Sequence, residues 1–327
     1  MNKHKKIPLK IPLLLYLLSL SLALILTGCG KKDKNAEDYQ GKEETTLNSI
    51  QIGDSSYQKK QNVETYLIVG VDSVGPVEKK EAYDGTGQSD FIELLVVDQA
   101  ADTYQMLTIN RDTICSVGCY TDDLEYTGEQ DIQLAYAHAQ GDGLEMSCEN
   151  TVKAVESLLY GIEIDHYVVL QKDAIKIVNN QLGGVTVTIE DDFSKEDESL
   201  VMGESIHLSD EQAYAYCCGR MSVGDGENTG RIKRQQTYME AAKPVLKEKC
   251  KENESFANTA FDALKEYMVT DITGKEISRL AKAMLKDEDL GTVTFEGEEG
   301  EDDLGFHTFT IKEESQQSIV RELFTQQ

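Results

Sequence analysis

Tyr66-Leu67-Ile68-Val69-Gly70-Val71 is a continuous apolar run of the kind shown by a strand buried on both faces. Phe91 to Val97, after a glycine-rich loop, and Tyr104 to Ile109 repeat it. The period then changes: in Cys148 to Tyr160, Val152, Val155, Leu158 and Leu159 fall at helical spacing. Ile164 to Leu170 reads as a strand, Ala174 to Leu182 as a helix, and Val185 to Ile189 as a strand entered through Gly183-Gly184. Strands and helices alternate, which predicts the α/β class with α/β/α layers.

Ser209-Asp210-Glu211-Gln212 is a capping-box start for a helix to about Cys218. The glycine-rich loop Gly224 to Gly230 leads into a long helix from Arg231 to about Cys250, in which Pro244 predicts a kink or break. Beyond Asn253 the pattern gives helices near Ser255 to Met268 and Lys275 to Leu285. Strands follow near Thr292 to Phe295 and Phe306 to Ile311, then a helix from Glu313 to Phe324. Residues 251–327 either complete the domain that begins at residue 62 or form an appendage to it.

The N-terminal end is patterned differently. Lys3, Lys5, Lys6 and Lys10 precede an apolar stretch from Ile11 to Leu26, and Leu26-Thr27-Gly28 brings small residues up to Cys29. The stretch is shorter than the ~20 residues a spanning helix needs. Residues 1–28 therefore read as a lipoprotein signal peptide, with Cys29 acylated as the mature N-terminus; a retained single membrane anchor is the competing reading. Both readings put the bulk of the chain on the extracytoplasmic face. Residues 29–61 are polar, with little apolar periodicity, and read as a flexible tether.

Composition narrows the chemistry. The 327 residues carry a formal charge of −27, which argues against broad nucleic-acid binding because phosphate neutralisation needs a basic face. Any anion site must be local. The cations are 26 Lys and only 6 Arg, and the arginines cluster: Arg111 follows a predicted strand, and Arg220, Arg231 and Arg234 share one short window. Arg231 and Arg234 sit at i, i+3 at a helix start, where the guanidinium fork and the helix dipole both favour an anion. Asp72 ends the first strand and Asp90 immediately precedes the second, so the two carboxylates could share one edge and hold Mg²⁺ with a phosphorylated substrate. Apart from Cys29, Cys115, Cys119, Cys148, Cys217, Cys218 and Cys250 make an even number that permits disulfides without specifying them, and their spacing is poor for zinc.

These residues also carry a resemblance. Gly70-Val71-Asp72, Ser89-Asp90, Asn110-Arg111-Asp112, Ile164-Asp165-His166-Tyr167 and Leu182-Gly183-Gly184-Val185 occur in order. Gly203, Ala213-Tyr214-Ala215-Tyr216 through Arg220, and Arg231-Ile232-Lys233-Arg234-Gln235 complete the set. Over about residues 65 to 245 the chain resembles the LytR-CpsA-Psr family of cell-envelope proteins, whose domain is also called the cell envelope-related transcriptional attenuator. The resemblance implies a three-layer α/β/α domain with a central mixed sheet, binding a polyprenyl-linked pyrophosphate lipid in a long apolar pocket. It further implies a phosphotransferase that moves a glycopolymer, such as teichoic acid or capsular polysaccharide, from the carrier to peptidoglycan. Carried over by position, Asp72 and Asp90 would hold Mg²⁺, and Asp90 would also position or deprotonate the acceptor. Arg111, Arg220, Arg231 and Gln235 would grip the pyrophosphate, with Arg234 in support. The chain departs from the family at three places: Gln88 and Cys218 stand where arginine is usual, and Asn110 where proline is usual. The alternative expectation is a non-catalytic lipoprotein that binds or senses polyprenyl phosphate.

Overall fold

The computed structural model describes residues 48–326; the expected signal peptide, Cys29 and the expected tether up to residue 47 lie outside the described residues. The last part of the expected tether is not free chain. β1 (Ser49–Ile52) and β2 (Ser55–Gln58) form an antiparallel hairpin. Two isoleucines at strand spacing, Ile50 and Ile52, enter the core, and the Lys60 N–H donates to the Phe324 carbonyl at 2.8 Å.

The chain continues through β3 (Val63–Val71), β4 (Ser89–Asp98), β5 (Thr103–Thr108), β6 (Ile114–Tyr120) and β7 (Tyr126–Gln133). Next come α1 (Tyr136–Ala139), α2 (Glu145–Leu158), β8 (His166–Gln171), α3 (Ala174–Leu182), β9 (Thr186–Thr188) and β10 (Ser205–His207). Then follow α4 (Asp210–Cys218), α5 (Asn228–Glu252), α6 (Phe256–Leu264), β11 (Met268–Thr270), α7 (Gly274–Lys286) and β12 (Glu288–Thr294). β13 (Gly297–Glu301), β14 (His307–Ile311) and α8 (Glu313–Phe324) end it.

Six strands make the central sheet in the order β11-β8-β3-β4-β5-β12. β8 is parallel to β3 and β12 to β5, while the other pairs are antiparallel, so the sheet is mixed. Alternation along β3 and β4 sorts the two faces. Leu67, Val69, Ile92 and Leu94 meet Ala154 and Val155 of α2 and Val320 and Leu323 of α8. Tyr66, Leu95 and Val97 meet Phe261 of α6 and Leu280 of α7 on the other side. A third cluster, built on Phe193, Tyr216 and Tyr238, ties α4 and α5 together. The result is an α/β/α sandwich.

Two boundaries differ from expectation. The helix expected over Ser255 to Met268 stops at Leu264, because Val269 and Thr270 pair with Val169 and Val168 as the edge strand β11. β11 and β12 make the C-terminal part of the chain a constituent of the sheet. Pro244 does not end α5, which runs from Asn228 to Glu252. Pro244 faces solvent, so water can reach the carbonyl whose N–H partner it lacks.

Candidate active site

The parallel strands β3 and β8 end together, Val71 opposite Gln171. The carboxyl ends of strands in open α/β sheets are where ligands bind, since the chain leaves the sheet there and loops surround a crevice. Asp72 and Lys172 are the next residues along. β4 begins beside them, with Ser89 opposite Val71 across a register irregularity, and this places Asp90 at the same edge.

Asp90 is the hub. One carboxylate oxygen accepts a hydrogen bond from Arg111, and the other lies 3.0 Å from Nη1 of Arg231. Arg111 is carried by the turn after β5. The Asn110 side chain accepts the Asp112 N–H at 3.0 Å and fixes that turn, and Asn228 Nδ2 reaches Asn110 and Asp112 at 3.3 Å each. Arg231, buried on the first turn of α5, donates to Asn228 Oδ1 at 2.7 Å. The turn and the helix are thus braced through one asparagine. Two of the departures from the family gain a physical reading: Asn110 makes the brace, and Gln88 Oε1 accepts from Arg111 at 2.6 Å, aiming the guanidinium.

The Nε atoms of Arg111, Arg220 and Arg231 are all buried without a hydrogen-bond acceptor. Arg111 Nε does lie 3.4 Å from Asp112 Oδ1, an ion-pair contact off hydrogen-bond geometry. A buried donor left unpaired costs about 1–3 kcal/mol. Arg111 and Arg231 both grip Asp90, and Arg220 lies near enough to Arg231 to act on it; their unpaired donors suit anionic oxygens, and the guanidinium fork matches phosphate.

Charge balance agrees. Burial would raise the Asp90 carboxyl, but Arg231, Arg111 and Lys172 outweigh burial and hold it below the usual carboxylate range. Arg231 is lowered by its own burial, with Arg111 and Arg220 adding to the effect and Asp90 opposing it. Burial pushes the Cys218 thiol up to about 11 and Cys217 well above its ordinary value. Both are neutral thiols near pH 7 and poor nucleophiles.

The remaining expected residues divide. Arg234 is a clamp: it donates to the Tyr216 carbonyl at 3.1 Å, to the Gly219 carbonyl and to Asp191 at 2.6 Å, and lies over the Phe193 ring. It holds the end of α4, from which Arg220 follows. Gln235 donates to the Cys217 carbonyl at 3.2 Å. Asp72 accepts the Gly87 and Gln88 N–H groups at 2.8 and 2.9 Å through one oxygen, and no protein group among the described residues reaches the other. No cluster of three or more metal-ligating side chains occurs among the described residues. This donor set fits a hard cation held through Asp72 with phosphate and water oxygens rather than a protein cage. Asp90 has both oxygens engaged by arginine. The described cysteines are all free. Lys172 is the charged residue that sequence reasoning passed over; its signal was a cation one step past the end of a strand parallel to the one ending at Asp72.

Behind Asp90 lies an apolar cavity of about 210 Å³, walled by Gly70, Phe91, Ile175, Val178, Tyr238 and Met239, with Lys172 and Cys218. A second, of about 310 Å³, runs between the sheet and α6 and α7. Ile68 and Leu170 line both, so the two adjoin along the sheet face. The pair suits a hydrocarbon chain with an anionic head. No helix among the described residues is long and apolar enough to cross a membrane.

The chain is similar to known proteins. The chain is 32% identical over 208 residues to the polyisoprenyl-teichoic acid–peptidoglycan teichoic acid transferase TagU of Halalkalibacterium halodurans, covering 63% of this chain and 60% of that protein. The corresponding transferase TagV of Bacillus subtilis is 30% identical over 245 residues, covering 71% and 56%. The chain therefore spans less than two thirds of the length of these relatives. The crystal structure of B. subtilis TagV superposes with a TM-score of 0.60 at 23% identity, over 80% of this chain and 97% of that one, and has the same fold. The match to the LytR_cpsA_psr family runs over residues 22–325 and takes in every element that builds the site, so the chain belongs to that family.

Proposed function

We propose that this protein is an extracytoplasmic phosphotransferase that moves a glycopolymer from a polyprenyl-pyrophosphate carrier to peptidoglycan. The observation that carries the reading is the set of orphaned Nε donors of Arg111 and Arg231, which grip Asp90, and of Arg220 close to Arg231, with Asp90 itself lining an apolar cavity. The names of the TagU and TagV relatives supply the substrate class. In the reaction, an acceptor hydroxyl of peptidoglycan forms a new P–O bond to the polymer-bearing phosphorus and gives up its proton to solvent or to the departing phosphate. The bond from that phosphorus to the prenyl phosphate breaks, and prenyl phosphate leaves with the electron pair.

Such transfers depend on positioning and charge stabilisation rather than on a protein nucleophile. The arginines would hold the non-bridging oxygens as charge shifts toward the leaving phosphate. Asp90, kept ionised by its arginines, is a weak base in that pairing, so its part is to orient the acceptor hydroxyl and the guanidinium groups. Mg²⁺ belongs to the proposal as an ion held through the free oxygen of Asp72, where it would neutralise phosphate charge. Acylation of Cys29 would anchor the chain at the outer membrane face.

The test is transfer from a purified lipid-pyrophosphate-linked polymer to peptidoglycan by the full chain. Arg111→Ala is expected to lower the rate at least about a hundredfold, since it removes a charged grip used in the transition state; an unchanged rate would overturn the assignment. A second reading, a non-catalytic binder or sensor of polyprenyl phosphate, draws on Gln88 and Cys218, which leave fewer cations than the family pattern implies. Lipid that co-purifies with a chain forming no product would select it.

A further inference from the structure

Arg111 and Arg231 pair with Asp90 and Arg220 lies close to Arg231, yet none of the three lines the apolar cavity behind Asp90. The cation that does is Lys172, which shares the wall with Asp90, Gln235 and Cys218. Its backbone is fixed: the Lys172 N–H donates to the Ser73 carbonyl at 2.9 Å, and the β3/β8 register sets it beside Asp72. Its ammonium makes no ion pair among the described residues. By contrast, Lys80, Lys176, Lys233, Lys243, Lys265 and Lys286 each reach a carboxylate. Its ammonium lies 5.9 Å from the centroid of the Tyr214 ring.

We propose that Lys172 contacts substrate in this site, holding the phosphate nearest the hydrocarbon chain where the apolar cavity meets the arginine cluster. The proposal rests on the pyrophosphate reading above and adds a division of labour to it. The arginines take the outer phosphate and Lys172 the inner one. The position also accounts for Cys218. Of the charged groups that act on that thiol, Lys172 has the largest influence, so the lysine supplies positive charge beside the place where the family pattern has arginine. A lysine on the strand end replaces an arginine on the helix end.

Geranylgeranyl monophosphate carries only the inner phosphate, and calorimetry on the full chain can measure its binding beside geranylgeranyl pyrophosphate. Lys172→Met, which keeps the stem and removes the charge, is expected to weaken the monophosphate at least about tenfold, the size of one lost charged hydrogen bond. Lys172→Arg should stay within about threefold of wild type. Lys176→Met, whose ammonium is 2.8 Å from Glu211, should bind as wild type does. Equal losses in Lys172→Met and Lys172→Arg at unchanged melting temperature would make the residue a packing element and overturn the proposal. If Lys172→Met binds monophosphate normally while Arg111→Ala loses pyrophosphate, Lys172 is wrong and the arginine grip stands. If wild type binds neither lipid, both readings fall.

Discussion

Asp90 bears on stability through its ion pairs and, in the proposed function, on ligand binding as well. Its side chain is 15% exposed, and its partners Arg111 and Arg231 are 12% and 5% exposed, so the pairs are largely shielded from solvent. Removing one member of a buried ion pair leaves the other uncompensated and typically costs about 3–5 kcal/mol. Asp90→Asn is therefore expected to melt well below wild type and to lose transfer. Inorganic pyrophosphate should raise the variant's melting temperature more than wild type's, because the anion replaces the missing carboxylate as a partner for the arginines. The pH dependence has a definite sign. A carboxyl held below its ordinary value contributes stability above the unfolded pKa of about 3.9 and loses it as pH falls through the folded value. Melting curves of the two proteins should converge in acid and separate above it. Equal melting at pH 7, with no extra response to pyrophosphate, would show that this triad is not an anion receptor.

At the level of elements, what could be read locally was read well, and what depended on distant partners was not. The capping box at Ser209 and Gln212 is present in both directions: the Gln212 N–H donates to Ser209 Oγ at 3.3 Å, and the Ser209 N–H to Gln212 Oε1 at 2.9 Å. It starts α4, whose far end delivers Cys218 and then Arg220. Loss of such a cap costs about 1 kcal/mol, so Ser209→Ala should lower the melting temperature by about 2 °C while the denaturant slope stays constant. A drop of ten degrees would mean that the serine does more than cap. The strands β3, β4, β5 and β8 were legible as apolar runs because the sheet interior buries or half-buries nearly all of their positions. The hairpin β6–β7 was not, since β7 is mostly exposed and polar, and only its pairing with β6 makes it a strand. β1 is a strand because α8, more than 250 residues later, gives Ile50 and Ile52 a surface to cover. At the site, clustering of scarce arginines pointed to Arg111, Arg220 and Arg231. Lys172 stayed hidden among 26 lysines, because its meaning lies in the register between two parallel strands.

For the whole molecule, the contrast is between a cationic pocket and a chain of formal charge −27. In the proposed function, an anionic lipid-linked donor would have to cross a repulsive long-range field before the buried guanidinium groups act on it. The two effects have different ranges. The Debye length is about 30 Å at 0.01 M salt and about 10 Å at 0.1 M, so modest salt screens the field of the distant acidic surface while leaving contacts in a shielded site largely intact. Nucleic-acid binders, whose basic faces release counterions, lose affinity steadily as salt rises. The opposite is expected here. Association of geranylgeranyl pyrophosphate, followed by stopped-flow fluorescence, should quicken severalfold between about 0.01 and 0.15 M salt and then level off. Dissociation should change little, because it reports the local grip. A rate that falls throughout the series would mean that the cations of the site, not the acidic surface, dominate the field an incoming donor meets.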